Sequence, residues 1–303
     1  MKKTLLTICL VWMCFSLSAQ KIIDLSGKWS FSIDRQDNGE KEKWFSHTLN
    51  DFINLPGSMP EKLKGDEVTA KTQWTGSLYD SSYYYNPYME KYRKEGNIKF
   101  PFFLTPDKHY VGAAWYQKEV NIPADWKGER ILLFLERPHI ETTVWVNGQK
   151  TGIQNSLCVP HQYDITRYVR PGKCTITIRV DNRIKEINVG PDSHSITDQT
   201  QGNWNGIVGR ICLQTTPKTY FDDIQIYPEP EQKLARVKVV IKGTGTAKVK
   251  LSAESFNTDK KHIVPAIQQE IKLNKGVTET EMVLPMGLSL IHISEPTRLQ
   301  LIS

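Results

Sequence analysis

Cys174-Thr175-Ile176-Thr177-Ile178-Arg179-Val180-Asp181 alternates apolar with polar side chains along its whole length. Successive side chains of an extended chain point to opposite faces, so Cys174, Ile176, Ile178 and Val180 share one face, with Thr175, Thr177, Arg179 and Asp181 on the other. The pattern predicts a strand with one buried face and one wet face. The stretch 140–147 repeats it, setting Ile140, Thr142, Val144 and Val146 against Glu141, Thr143, Trp145 and Asn147. Asn147-Gly148 then supplies the positive φ angles of a tight hairpin turn. Ile131-Leu132-Leu133-Phe134-Leu135 is apolar on both faces, as a strand in the middle of a sandwich should be. Turn pairs such as Lys127-Gly128 and Pro171-Gly172 punctuate these runs, and no long stretch beyond residue 19 carries helical periodicity. Many short strands with such turns predict an all-β sandwich or barrel.

The chain ends read differently from its middle. Lys2 and Lys3 precede an apolar stretch from Leu5 to Leu17, with Ser18-Ala19 before Gln20, which is the layout of a cleaved secretory signal over residues 1–19. The apolar stretch is short for a bilayer span. Val11-Trp12-Met13 ahead of Cys14 lacks the small residues of a lipid-attachment site, so the expectation is export to the periplasm or beyond, with no membrane contact after cleavage. At the other end, residues 288–298 resemble the in-frame translation of a transposon-derived sequencing adapter. On that reading 288–303 is an artefact, natural sequence stops near Met286, and His292, Ser294 and Glu295 have no function; the competing reading is an ordinary last strand over 288–293.

A formal charge of +6 on 303 residues is too mild to argue for nucleic acid. Basic residues are interleaved with acids, as in Glu40-Lys41-Glu42-Lys43, which reads as a solvated face. Cys158, Cys174 and Cys212 are the cysteines beyond residue 19, at no metal-ligand spacing, and Cys174 and Cys212 sit in apolar runs as small hydrophobes do. The histidines 109, 139, 161 and 194 are too widely spaced for a zinc site. No Gly-x-Ser-x-Gly elbow or phosphate-binding glycine loop is present. No metal and no cofactor is expected.

Residues 74–110 break the alternation and hold Trp74, Tyr79, Tyr83, Tyr84, Tyr85, Tyr88 and Tyr92 with little aliphatic material. A long excursion of this kind is functional or poorly ordered, and its aromatic content argues against disorder. Two readings stand: the rings stack on the apolar C–H faces of sugars, or they cover the outside of the sandwich. After Tyr227-Pro228-Glu229-Pro230 a second alternation begins with Val237, Val239 and Ile241, passes a turn region at Gly243 and Gly245, and continues with Ala247, Val249 and Leu251.

Four segments together carry a family resemblance: Trp115-Tyr116-Gln117-Lys118-Glu119-Val120, Val144-Trp145-Val146-Asn147-Gly148, Tyr163-Asp164-Ile165-Thr166, and Asn203-Trp204-Asn205-Gly206-Ile207. The chain from Leu25-Ser26-Gly27-Lys28-Trp29 to Leu213 resembles the N-terminal sugar-binding domain of glycoside hydrolase family 2, whose members include β-galactosidases, β-glucuronidases and β-mannosidases. The resemblance implies a jelly-roll β-sandwich of the galactose-binding-like kind over residues 22–226, then an immunoglobulin-like sandwich over 227–286 that is cut short. It further implies that the two catalytic glutamates of a retaining glycosidase belong to a (β/α)₈ barrel that does not read anywhere in this chain. Glu119, Glu136 and Glu141 lie on strands or strand ends, so no catalytic residue is expected here.

The polar loop 194–207 is the candidate sugar contact, because in family enzymes a loop near this position reaches the active-site pocket. Side-chain amides both donate and accept, which suits hydroxyl groups, so Gln201, Asn203 and Asn205 are the polar candidates and Trp204 the stacking one. The alternative is that Trp204 anchors the loop while the asparagines satisfy backbone groups in turns. The acidic residue that some family β-galactosidases use falls on Thr200, and Asp198 substitutes for it only if the loop is rearranged. The resulting expectation is the non-catalytic part of an exported β-glycosidase, partnered by a β-glycoside and by the barrel of its own polypeptide. The alternative is a free-standing carbohydrate-binding or adhesion sandwich without enzyme activity.

Overall fold

A computed structural model describes residues 21–287, apart from 79, 186–189, 191 and 255–262, together with the strand 298–302. The signal-like residues 1–19 and most of the adapter-like segment lie outside the described residues. The protein is all-β. In chain order the strands are β1 (Ile22–Asp24), β2 (Gly27–Asp34), β3 (Asp51–Leu55), β4 (Gly57–Ser58), β5 (Asp66–Glu67), β6 (Lys108–His109), β7 (Ala113–Ile122), β8 (Arg130–Pro138) and β9 (Glu141–Val146). They continue with β10 (Gln149–Asn155), β11 (His161–Asp164), β12 (Gly172–Asp181), β13 (Gly206–Thr216), β14 (Tyr220–Glu229), β15 (Leu234–Glu254), β16 (Ile263–Pro285) and β17 (Arg298–Ile302).

Two antiparallel sheets make the first sandwich. One runs β1-β13-β8-β11, with β4 also on β13, and the other runs β10-β9-β12-β7-β2-β3. Their inner faces meet in a core that includes Trp29, Phe31, Tyr116, Leu133, Val144 and Ile178. The doubly apolar run Ile131–Leu135 does sit mid-sheet, on β8 between β13 and β11. The Asn147-Gly148 turn joins β9 to β10, with φ of 49° and 77° at the two residues.

The expected wet face of β12 is not wet. Thr177, Arg179 and Asp181 are buried, as are Thr143 and Trp145 on neighbouring β9. The cause is the connection between β2 and β3, which folds back over this face. Its Trp44, Phe45 and Leu49 join Trp115 and Trp145 in a second, smaller apolar cluster. Phe45 stacks on Trp145 at 5.2 Å, and Trp115 donates its indole N–H to Asp34 Oδ2 at 2.9 Å. Beside it, Asp181 accepts from Arg183 at 2.6 Å and Lys185 at 2.8 Å, and Asp37 binds both Arg179 and Arg183. Burial pushes the Asp181 carboxyl up, and the Arg183 and Lys185 hydrogen bonds outweigh that and hold it well below the usual carboxylate range.

The second sheet system begins before residue 226. β14 starts at Tyr220 and pairs with β15, so sheet pairing changes hands in the short link between β13 and β14. β15 and β16 form one very long hairpin, paired from Leu234↔Pro285 to Glu254↔Ile263. Val237 and Val239 from one half and Val249 and Leu251 from the other are fully buried in a common core, which a single sheet reaches only by folding over on itself. The bend falls at the register shift Gly243/Gly245, opposite Gly276. The expected turn is thus a crease within continuous strands; Gly243 and Gly276 both have positive φ there. β17 adds to the second half of β15.

Candidate functional site

The 194–207 loop leads into β13, and Gly206 fixes how it arrives. A Cβ on Gly206 would lie 2.5 Å from the Gly57 carbonyl oxygen, and its φ is +144°, so glycine alone allows β4 to pair so closely. Asn205 is fully buried beneath the loop. Its Oδ1 accepts from the Tyr116 hydroxyl at 2.8 Å, while Nδ2 donates to the carbonyls of Gly112 and Val180, each at 2.9 Å. That amide is spent inside the protein and does not reach a ligand.

Asp198 is also buried, and it acts as a clamp. Oδ1 accepts from the Asn203 N–H at 2.7 Å, Oδ2 accepts from the Thr75 N–H at 2.6 Å, and His109 Nε2 lies 3.3 Å from Oδ2. The Asp198 N–H returns a bond to the Thr75 carbonyl at 3.1 Å, and Asn203 Nδ2 donates to Thr75 Oγ1 at 2.9 Å. The Phe103 N–H reaches the Gln199 carbonyl. The aromatic excursion and the polar loop are therefore one hydrogen-bonded unit. The excursion's two ends are pinched together where β5 pairs with β6.

Within the excursion the rings divide. Trp74, Tyr83, Phe100 and Phe102 pack on one another at centroid distances of 4.8–5.6 Å, forming a small core of their own. Tyr84, Tyr85, Tyr88 and Phe103 are exposed. The buried rings thus pack against one another within the excursion, and the exposed ones face solvent. Tyr79 lies outside the described residues.

Trp204 is half-buried and stacks on the His139 ring at 4.5 Å and 20°. Burial pulls the His139 imidazole down to about 4, against the opposing effects of the Asn203 amide and the Asp198 charge. Asn203 sits close enough to oppose that shift, yet neither His139 Nε2 nor Asn203 Oδ1 reaches a well-formed hydrogen bond. Trp74 Nε1 and Gln199 Oε1 are buried without partners as well. All four of these atoms belong to the loop, the excursion it holds, or the ring beneath Trp204. Native interiors leave few such groups, and a cluster of them asks for an explanation.

A groove of about 580 Å³ opens here, lined by Trp204, Gln201, Asn203, Thr200 and Asp198 from the loop, by Leu104 to Asp107 from the excursion, and by Ser58, Pro60 and Glu61. Of the sequence-predicted residues, Gln201 and Trp204 line this groove with exposed or half-exposed side chains, whereas Asn203 lines it but is buried, its amide nitrogen donating to Thr75 Oγ1 and to the Asn182 carbonyl. Asp198 contributes to its floor while its oxygens face the protein. The Thr200 hydroxyl donates to the His194 carbonyl at 2.8 Å. His139, Thr75, Leu104 and Asp107 had no local sequence signal; only the fold brings them to the loop. Among the described residues no cluster of His, Cys, Asp and Glu has the makings of a metal site, and no helix is long and apolar enough to cross a bilayer.

The model of the glycosyl hydrolases family 2 sugar-binding domain matches residues 22–217, and the chain belongs to that family. The β-glucuronidase of Homo sapiens is 24% identical over 266 residues, covering 78% of this chain and 35% of that protein. The β-glucuronidase of Paenibacillus borealis is 25% identical over 222 residues, covering 68% and 31%. The chain thus spans about a third of the curated relatives it matches. Among solved structures, a β-glucuronidase from an uncultured Clostridium sp. superposes with a TM-score of 0.55 at 20% identity, covering 89% of this chain and 40% of that one. The Bacteroides uniformis β-glucuronidase gives 0.56 at 14% identity, covering 88% and 27%. At these identities the superpositions speak to fold.

Proposed function

We propose that this chain is the non-catalytic, sugar-binding portion of an exported family 2 glycoside hydrolase that cleaves a β-glycoside, and that the loop around Trp204 forms part of its sugar site. The observation that carries this reading is the groove itself, where a half-exposed indole and the exposed Gln201 side chain converge. An indole face suits the C–H face of a pyranose, and the Gln201 amide suits its hydroxyls. Hydrolysis itself needs two suitably spaced carboxyls, which this reading assigns to a barrel of the same polypeptide. Residues 1–19 support export.

The names of the relatives point toward glucuronides, and the charge of the groove points toward a neutral hexoside such as a β-galactoside. Its lining includes the carboxylates of Glu61 and Asp107 and no lysine or arginine, the Asp198 oxygens being turned to protein donors. Lys62 neutralises Glu61 at 2.6 Å from outside the groove, and Asp107 makes no ion pair among the described residues. A uronate would meet like charge at this wall. Titrating the ¹⁵N-labelled chain with methyl β-D-galactoside and methyl β-D-glucuronide tests this. The galactoside should shift the Trp204 indole resonance and bind the more tightly, and neither glycoside should be hydrolysed. Tighter glucuronide binding overturns the neutral-sugar assignment, and hydrolysis overturns the non-catalytic one.

A further inference from the structure

A second cleft, about 1120 Å³ in volume, lies on the other side of the excursion tip from Trp204. It exceeds the roughly 300–1,000 Å³ of a pocket that holds one drug-sized ligand. Thr105, Pro106 and Asp107 line both this cleft and the groove at Trp204, so the two hollows adjoin along that ridge. Phe103 is 85% exposed and lines the cleft; Leu104 is 79% exposed and lines the groove. Both side chains are thus free to make contact with a ligand laid along the ridge. Their position is fixed relative to the sugar loop, because the Phe103 N–H is bonded to the Gln199 carbonyl and the excursion is clamped through Asp198 to Thr75.

We infer that the cleft is a binding site for the sugar units that follow the terminal one, so that the ligand is an oligosaccharide or polysaccharide laid across the 105–107 ridge. The inference rests on the sugar site proposed at Trp204 and extends it. Phe103 supplies the stacking platform. Asn97, Thr69 and the ends of Lys71 and Lys99 supply hydroxyl partners along the walls. The cleft carries Lys71, Arg93 and Lys99 against Glu67, Glu95 and Asp107, a balance that presents no net field to a polyanion and suits an uncharged glycan.

The experiment is a calorimetric and NMR titration of the chain with methyl β-D-galactoside and with β-1,4-linked galacto-oligosaccharides of increasing length. Affinity should rise about tenfold from the monosaccharide to the longer members, the size of effect expected where a second stacked ring adds about 1.4 kcal/mol. Phe103→Ala should abolish that rise while leaving monosaccharide binding intact, and Phe103→Tyr should retain it. Tyr88, equally exposed on the excursion and outside both hollows, is the control: Tyr88→Ala should change nothing. Trp204→Ala should weaken every ligand. Monosaccharide binding that depends on Trp204 but gains nothing with length, or a gain indifferent to Phe103, overturns the extended cleft and leaves the sugar site standing. Binding of none of the series overturns both.

Discussion

The outer face of the second sheet and the seam beneath Trp204 are both crowded with buried polar groups, and they differ in how fully those groups are paired. On the outer face, Asp181 meets Arg179, Arg183 and Lys185, Asp37 meets two of the same arginines, and Trp115 meets Asp34. At the seam, four side-chain atoms are left without partners in the space of one loop and what it touches. Complete pairing holds a covering segment in place. Incomplete pairing, next to a groove, leaves capacity for something that is not this stretch of chain.

The hardest blow to this contrast comes at Asp181. Asp181→Ala leaves Arg179, Arg183 and Lys185 with uncompensated buried or half-buried charge and should destabilise the chain by about 3–5 kcal/mol in urea melts. A loss below about 1 kcal/mol would mean that the outer face is solvated after all.

Next in size is the pH dependence, which separates the two regions by window. His139 is held neutral, with its folded pKa lowered to about 4, so the unfolded chain takes up the proton first, below about 6.5. Stability should fall as pH drops from about 6.5 to about 4, by on the order of 3 kcal/mol from this residue. His161, also lowered by burial, adds a loss of the same sign as pH falls below about 6.5. Asp181 has the opposite sign of partner: its stabilisation is present above the unfolded carboxylate value near 4 and is lost at still lower pH. His139→Gln should flatten the upper window only, and a profile unchanged by that substitution would remove His139 from the account.

Asp198→Ala should be smaller globally, about 1–3 kcal/mol, because it unpairs the Thr75 and Asn203 amides. Its signature is local: proteolytic cleavage within residues 68–107 should accelerate while the sandwich stays protected. Uniform loosening of the whole chain would show that Asp198 is not a clamp. Trp204→Ala sits at the bottom of the stability scale, within about 1 kcal/mol, since the ring is half-exposed, and yet it should remove sugar binding.

Much of the first sandwich was legible because alternation reports burial of one face directly. What alternation cannot report is whether the other face is covered. Thr177, Arg179 and Asp181 look solvent-facing in β12, and the segment that buries them is remote in sequence. Asn205 follows the second of its two readings for a chemical reason: an amide that suits sugar hydroxyls suits backbone carbonyls equally well, and Gly112 and Val180 claim it. Gln201 and Trp204 line the groove. The clamp from Asp198 to Thr75 spans more than a hundred residues, so no local motif announces it. In the second module the alternation of β15 was plain, and the glycines at 243 and 245 read as a turn; their role as a crease depends on pairing with Gly276 on the facing strand.

The two-residue ladder of β5 and β6 has an engineering consequence. Because the excursion leaves and re-enters the sandwich side by side, a segment of any length can be spliced between residues 67 and 108 without re-threading the strands around it. The same scaffold can therefore carry interchangeable tips, each offering a different surface beside the common 194–207 loop, provided the tip keeps a residue that, like Thr75, donates its N–H to the Asp198 carboxylate and accepts from the Asn203 amide.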